Sequence, residues 1–152
     1  MEYCQINANN NLGMQICCAS KGNIIRNCDF ISNKKFGIDV SVADNKIYLN
    51  NFIDNGIDDN GLNARSKDEN QWDFGKKGNY WSDYDESREG ANDTDGDGIV
   101  DSPYLIIEQD YDFYPFINQI DHGMKTGEDT PGFLFFGFLF TLIIVFLANK
   151  YR

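Results

Sequence analysis

A repeat of 22 to 24 residues in the first 65 residues is the feature that most constrains the fold. At a spacing of 24, Asn9 aligns with Asn33 and Gly13 with Gly37. Further pairs are Leu12 with Phe36, Met14 with Ile38 and Ile16 with Val40 at a spacing of 24, and Asn23 with Asn45, Ile25 with Ile47, Phe30 with Phe52, Ile31 with Ile53 and Asn33 with Asn55 at a spacing of 22. A third, partial copy places Gly61, Leu62 and Ala64 on Gly37, Ile38 and Val40. Such a period is typical of solenoids, in which each repeat buries its apolar face only by stacking on the next.

The repeats favour short strands over helices. Apolar and polar residues alternate in short runs that Asn and Gly interrupt, and no apolar stripe of period 3.6 is present. A leucine-rich repeat has a similar period, but its Leu-x-x-Leu-x-Leu pattern is missing. We therefore predict an all-β fold, a right-handed parallel β-helix of about three coils. Asn9, Asn33 and Asn55 should form a ladder, and the residues expected to point inward are Leu12, Phe36, Ile25, Ile47, Phe30 and Phe52.

The cysteines lie within the repeats. Cys4 coincides with Cys28 at a spacing of 24, and equivalent residues of stacked strands lie about 4.8 Å apart. The pair is therefore either a disulfide of an exported protein or two buried thiols, and the pattern favours the thiols. Cys17 and Cys18 are adjacent, which makes them a poor chelate. The sole histidine, His122, is predicted to be a surface residue.

Acidic residues are concentrated in the middle of the chain. Residues 66–129 hold 5 basic and 17 acidic side chains, a net charge of −12, whereas the whole chain carries −11. This balance argues against a nucleic-acid partner, because contacts to phosphates require clustered Lys and Arg. The aromatic content of 14% is too high for a disordered acidic segment. The acidic zone should therefore fold, with something that offsets its self-repulsion.

Within this zone, residues 93–101 match the pattern of a calcium loop. Asp occupies loop positions 1, 3, 5 and 9, and Gly occupies position 6. The predicted ligands are Asp93, Asp95, Asp97, Asp101 and the backbone carbonyl of Ile99. Hard oxygen ligands favour Ca²⁺ over zinc or copper. The bidentate Glu of an EF-hand is replaced by Tyr104, so the loop more closely resembles dockerin-type or thrombospondin-type loops; the other interpretation is a solvated acidic turn.

The C-terminal tail has the composition of a membrane anchor. Residues 133–148 carry no charge, which predicts one transmembrane helix over residues 133–149, although a buried core helix also fits. Lys150 and Arg152 follow it, so the C-terminus should be cytoplasmic and residues 1–130 outside. The string Thr130-Pro131-Gly132-Phe133 before this stretch resembles the PGF-type sorting signals of archaeal surface proteins. That resemblance implies removal of the tail and attachment of a lipid.

Residues 1–11 show no secretory signal. Either the tail itself directs insertion, or the sequence is the C-terminal piece of a longer exported protein. The small number of coils favours the second interpretation.

A second resemblance covers residues 9–118. The segments 72–84, 95–99, 101–104 and 112–115, and above all Gly78-Asn79-Tyr80-Trp81-Ser82-Asp83-Tyr84, resemble the C-terminal end of NosD-type β-helix proteins. The resemblance implies a right-handed β-helix closed by an aromatic-rich segment, in a family that is labelled copper-binding and includes many archaeal surface proteins. Aromatic residues available for such a lid are Trp72, Tyr80, Trp81, Tyr84, Tyr104, Phe113, Tyr114 and Phe116. Copper sites use His, Cys or Met, and this chain has one His and no clustered Met, so the copper label transfers poorly.

The sequence thus predicts four regions: β-helix coils at 1–65, a cap with the calcium loop at 66–118, a linker at 119–132 and the transmembrane helix at 133–149. We expect a non-catalytic surface module that is structural or binds glycans or envelope proteins, because the coils offer no convincing acid–base pair. The alternatives are the remnant of a polysaccharide lyase, epimerase or hydrolase, and a copper-maturation factor of the NosD type.

Overall fold

The computed structural model describes residues 1–106 and 110–123. Their regular elements are ten short strands and one 3-10 helix, so the described fold is all-β. The strands are β1 (Glu2–Asn7), β2 (Met14–Ile16), β3 (Ile24–Ile31), β4 (Ile38–Val40), β5 (Lys46–Tyr48), β6 (Asn51–Ile53), β7 (Ala64–Ser66), β8 (Tyr80–Trp81), β9 (Tyr104–Leu105) and β10 (Tyr111–Asp112), with the 3-10 helix at Ser87–Glu89. In this part of the chain no helix is long and apolar enough to cross a membrane. The predicted transmembrane helix at 133–149 lies outside the described residues.

Two parallel sheets contain eight of the strands. One has the order β1-β3-β6-β8, with β5 also paired to β3, and the other has the order β2-β4-β7. All pairs within these sheets are parallel, while β9 and β10 form a separate antiparallel pair. Strands that are neighbours in a sheet are therefore separated in sequence by roughly one repeat, which is the arrangement expected of stacked repeats.

The register of these sheets confirms most of the predicted alignment. Cys4 pairs with Cys28 and Met14 with Ile38, both at a spacing of 24, and Phe30 pairs with Phe52 at a spacing of 22. The third copy was misaligned, because Ile38 pairs with Ala64 at a spacing of 26. The added residues form a turn at 56–62, closed by the N–H of Gly61 donating to the carbonyl of Gly56 at 2.8 Å.

The backbone adopts the left-handed conformation at the corners of the repeats. Ala8, Ser32 and Asp54 have φ values of 51°, 53° and 50°, and each immediately precedes an asparagine of the stack. Gly22 and Asp44 have φ values of 73° and 66° and precede Asn23 and Asn45 in the same way. A left-handed conformation is strained for most non-glycine residues. The recurrence of these conformations indicates that the hydrogen bonds of the following asparagine stabilise each corner.

Three ladders of asparagine side chains connect the repeats. The first runs through Asn9, Asn33, Asn55 and Asn63, the second through Asn23, Asn45 and Asn70, and the third through Asn50 and Asn79. The predicted stacking of Asn9, Asn33 and Asn55 is therefore confirmed. Six of these asparagines are buried, namely Asn33, Asn45, Asn50, Asn55, Asn63 and Asn79. Because their amides are hydrogen-bonded, they stabilise the stack without the cost of an unsatisfied polar group.

The core is a column of apolar residues with an aromatic stack. The rings of Phe30 and Phe52 are stacked at 4.9 Å, those of Phe52 and Trp81 at 4.5 Å, and those of Trp81 and Tyr104 at 4.2 Å. Trp72 is fully buried beside them. Trp81 thus stacks on Phe52 and Trp72 packs beside that ring, so both tryptophans belong to the core. Phe113 was wrongly placed in this lid, because its side chain lies at the surface and is 59% exposed.

Candidate metal centre and neighbouring clusters

The Asp-rich loop brings three carboxylates together. Single oxygens of Asp93, Asp95 and Asp97 lie within 4.8 Å of one another. Asp93 organises the turn, because its Oδ1 accepts a hydrogen bond from the N–H of Gly96 at 2.8 Å and its Oδ2 accepts one from Gly98 at 2.9 Å. Both glycines have positive φ values, 78° and 88°. Such a conformation suits glycine, which explains the spacing of the motif.

The other two predicted ligands occupy different positions. Oδ2 of Asp101 accepts hydrogen bonds from the backbone N–H of Thr94 at 3.0 Å and from its hydroxyl at 2.6 Å. These bonds lower the pKa of Asp101. The carboxylate of Asp101 closes the loop and is not part of the group of three. Ile99 is half-buried, and its N–H donates to Oδ1 of Asp97 at 2.8 Å. The complete five-residue ligand set stays a prediction.

The loop is attached to the C-terminal segment. The N–H of Val100 donates to the carbonyl of Pro115 at 2.8 Å, and that of Ile117 donates to the carbonyl of Gly98 at 3.1 Å. Ile99 also forms an antiparallel bridge with Phe116, which bridges in turn to Tyr80. A change in the loop can therefore reach β8 and the tryptophan of that strand through a single bridging residue.

The donor set of the loop fits a hard cation. Three carboxylates in one turn repel one another, and a cation with oxygen ligands relieves that repulsion. Copper prefers imidazole, thiolate or thioether ligands. Within residues 1–106 and 110–123, one cluster of three or more Asp, Glu, His or Cys side chains has its ligand atoms close together. That cluster consists of Asp93, Asp95 and Asp97. The three carboxylates of this loop therefore have the donor chemistry of a calcium site and not that of a copper site.

His122 is not the surface residue that the sequence suggested. Its imidazole is 2% exposed, and Nε2 lies 3.4 Å from Oδ1 of Asp29 and 3.1 Å from Nδ2 of Asn51. Burial lowers the pKa of His122, although the charge of Asp29 opposes that effect. The residues before His122 return to the sheet, where the side chain of Asn51 exchanges two hydrogen bonds with the backbone of Ile120 at 2.8 and 2.9 Å. In the sequence, only the alignment of Asp29 with Asn51 in the repeat could have indicated that these two polar side chains lie together, where His122 contacts both.

Asp39, another buried acid of the repeats, forms an ion pair with the guanidinium group of Arg65. Its two carboxylate oxygens accept hydrogen bonds of 2.9 and 2.7 Å from Nε and an Nη of Arg65. Burial raises the pKa of Asp39, but the contacts with Arg65 outweigh burial and bring it below its ordinary value. Arg65 follows Asp39 by one repeat in the sheet register. This bidentate pair connects two neighbouring repeats.

A cleft of about 520 Å³ lies beside the cap. Exposed aromatic rings and carboxylates line it together. Its lining residues include Asp44, Lys46, Glu69, Asp73, Tyr111 and Phe113. Tyr111 and Phe113 have ring centroids 5.8 Å apart, and both are exposed. No sequence pattern marks this cleft, because its lining residues come from three separate segments and follow no motif.

These features define a protein of stacked parallel repeats that are joined by asparagine ladders and closed by an aromatic end. The chain matches the family model described as "Periplasmic copper-binding protein (NosD)" over residues 1–86. That match covers more than half of the 152 residues. The chain therefore belongs to the NosD family, as its resemblance implied. No curated protein and no solved structure matches it.

Proposed function

We propose that the chain is a non-catalytic, extracytoplasmic surface module that binds glycan through the cleft at residues 44–46, 69–73 and 111–113. Its scaffold is a right-handed parallel β-helix. Parallel pairing at spacings of 22 to 26 residues supports that architecture. The family is described as periplasmic, which supports a location outside the cytoplasm.

Exposed aromatic rings beside carboxylates are the observation that carries the glycan proposal. Tyr111 and Phe113 are exposed aromatic side chains that line the cleft as neighbours. Apolar faces of sugar rings pack against such rings, while hydroxyl groups donate to carboxylates such as those of Asp44 and Glu69. Two exposed rings and several acids in one concave site match the mixed chemistry of a carbohydrate surface.

Binding to immobilised neutral polysaccharides tests this proposal, with mannan, cellulose and amylose as probes. We expect the full-length chain to be retained by at least one probe. Phe113→Ala should weaken retention at least tenfold, whereas Tyr3→Ala, at an equally exposed aromatic residue that does not line the cleft, should not change it. Equal retention of both variants, or retention by no probe, would contradict the proposal.

Non-catalytic action is supported by the state of the two buried acids in the repeats, Asp39 and Asp29. Asp39 is bound by Arg65, and Asp29 by Asn51 and His122. Neither therefore stands as a free acid or base in a cleft. The rival enzyme proposal, a polysaccharide lyase, epimerase or hydrolase remnant, requires turnover of the polysaccharides. Release of reducing ends or unsaturated sugars from these probes would favour that rival.

Two further elements belong to this proposal. The Asp-rich loop binds Ca²⁺, and the segment 133–149 anchors the chain in the membrane with residues 1–130 outside, whether or not the tail is later replaced by a lipid. External protease should then remove residues 1–130 from intact cells. Protection of that region would contradict the orientation but would leave the glycan proposal intact.

A further inference from the structure

The asparagine ladders have a direction. Oδ1 of Asn55 accepts hydrogen bonds from the backbone N–H and from Nδ2 of Asn33, at 3.1 and 2.8 Å. Oδ1 of Asn33 accepts the same two bonds from Asn9, at 3.2 and 2.8 Å. The remaining N–H of Asn33 and that of Asn55 donate back to main-chain carbonyls of the preceding repeat. Every amide of the ladder therefore presents its oxygen to the repeat before it and a donor to the repeat after it.

Carboxylates end all three ladders on the C-terminal side. Oδ1 of Asp83 accepts from Nδ2 of Asn63 at 2.7 Å, and Oδ2 of Asp110 accepts from the N–H of Asn70 at 3.0 Å. Oδ2 of Asp112 accepts from the N–H of Asn79 at 2.7 Å. Asp110 ends the second ladder at the backbone N–H of Asn70 alone, because Nδ2 of Asn70 donates to Oγ of Ser66 and to the carbonyl of Asp68. On this side of the stack each ladder therefore ends on a carboxylate oxygen that acts as an acceptor.

The opposite face of the stack has the complementary property. In the part of the chain that the structure describes, no group donates to Oδ1 of Asn9 or Asn23, whereas both residues donate to the next repeat. In the same residues β1 pairs only with β3 and β2 only with β4, so each presents one unpaired edge. A cavity of about 320 Å³ opens beside them, lined in part by Met14, Ile16 and Ile25.

We infer that this N-terminal face, formed by β1, β2, Asn9 and Asn23, is a docking surface for one further peptide coil that runs parallel to β1. The coil must place a side-chain amide donor above Asn9 and another above Asn23, and supply carbonyls for the edges. The direction of the ladders selects this occupant. A second copy stacked head to tail would bring the oxygens of Asp83 or Asp110 against those of Asn9 and Asn23, where no donor separates them.

Duplication of residues 1–24 directly before Met1 of the full-length chain tests the inference. The duplication retains the spacing of 24 seen between Cys4 and Cys28, so it places copies of Asn9 and Asn23 above the originals. One variant carries Asn9→Asp and Asn23→Asp in the added copy only. A matched control carries Asn10→Asp and Asn11→Asp there, at exposed positions for which the structure shows no side-chain hydrogen bond.

Hydrogen exchange of the β1 and β2 amides is the measurement. We expect the duplicated chain and the matched control to slow this exchange roughly tenfold relative to the original chain, because the edge becomes paired. The Asn9→Asp, Asn23→Asp variant should not slow it, since an acid cannot donate. Equal protection in the duplicated chain, the matched control and the Asn9→Asp, Asn23→Asp variant would overturn the inference. Protection in none of these three chains would overturn it as well. Size-exclusion chromatography with light scattering should show the original chain as a monomer, and a head-to-tail oligomer would also overturn it.

Discussion

Oδ2 of Asp112 accepts a hydrogen bond of 2.9 Å from the indole Nε1 of Trp81. The same oxygen accepts from the N–H of Asn79, and Oδ1 accepts from the N–H of Tyr114 at 3.1 Å. Asp112 is fully buried, and Gly78 beside it has no room for a side chain, because a Cβ there would overlap the carboxylate. One acid thus joins the end of an asparagine ladder to the tryptophan of the core stack.

Because Asp112 is buried, its contribution to the free energy of unfolding depends on pH. Loss of hydration raises its pKa from an ordinary value of 3.8 to about 7, although the donors from Trp81 and Asn79 oppose the shift. The folded chain therefore binds this proton more tightly than the unfolded chain. The contribution of Asp112 to stability is fully present below pH about 4 and is lost as the pH rises to about 7. A shift of this size corresponds to on the order of 4 kcal/mol.

We therefore predict that Asp112→Asn removes this pH dependence. The free energy of unfolding of the original chain, minus that of the variant, should fall by a few kcal/mol between pH 4 and 7. Urea unfolding at a series of pH values measures the difference. Asp58→Asn, at an exposed acid, should give a nearly constant difference. A constant difference for Asp112→Asn as well would show that the carboxylate keeps its charge without cost.

Asn55→Asp should break the first ladder. Nδ2 of Asn55 donates to the carbonyl of Phe30 at 2.8 Å and to Oδ1 of Asn63 at 3.0 Å. The substitution replaces this donor with a buried acceptor that carries charge, and we expect a loss of about 3–5 kcal/mol in stability at neutral pH. Acid should partly restore stability, because a protonated carboxyl again donates one hydrogen bond.

Asn10→Asp provides the matched control for this change, since Asn10 is exposed just beside the ladder. Chemical unfolding should show a change within about 0.5 kcal/mol for the control. A similarly small change for Asn55→Asp would mean that the ladder contributes little to stability.

The repeat and its core could be predicted from the sequence because both depend on period. Apolar residues at spacings of 22 and 24 determine which side chains meet, as the pairing of Phe30 with Phe52 confirms. The third copy was misplaced because the turn at 56–62 changes the spacing to 26 without a change in local pattern. Asp110, Asp112 and His122 escaped recognition for a different reason. Each contacts residues 31 to 93 positions earlier, and no periodic signal marks such contacts.

Phe52→Ala should remove the centre of the aromatic stack. Phe52 is fully buried between Phe30 and Trp81, at centroid distances of 4.9 and 4.5 Å. Loss of the ring leaves a cavity that the surrounding repeats cannot fill, and we expect a destabilisation of about 3–5 kcal/mol. Phe113→Ala removes an equal volume at the surface and should cost less than about 1 kcal/mol. Equal effects in thermal and chemical unfolding would contradict the proposed core.

Calcium should stabilise the cap through the Asp-rich loop. The carboxylates of Asp93, Asp95 and Asp97 face one another within 4.8 Å, and the residues that follow bond to the C-terminal segment. A cation that binds only the folded chain contributes about 2.7 kcal/mol at a hundredfold excess over its Kd. We therefore expect chelation to lower the Tm and to expose Trp72 and Trp81 to solvent. Thermal unfolding and tryptophan fluorescence, in millimolar Ca²⁺ and in excess chelator, measure both effects.

The double variant Asp95→Ala, Asp97→Ala should reproduce the effect of chelation and make the chain insensitive to it. Asp58→Ala with Asp59→Ala removes the same charge from a turn outside the loop and should leave the calcium response unchanged. Copper ions should not replace calcium, because the loop supplies only carboxylates. If the Tm and fluorescence of the original chain are the same with calcium and with chelator, the loop is a solvated turn. Its hydrogen bonds from Asp93 to Gly96 and Gly98 would then suffice to hold it.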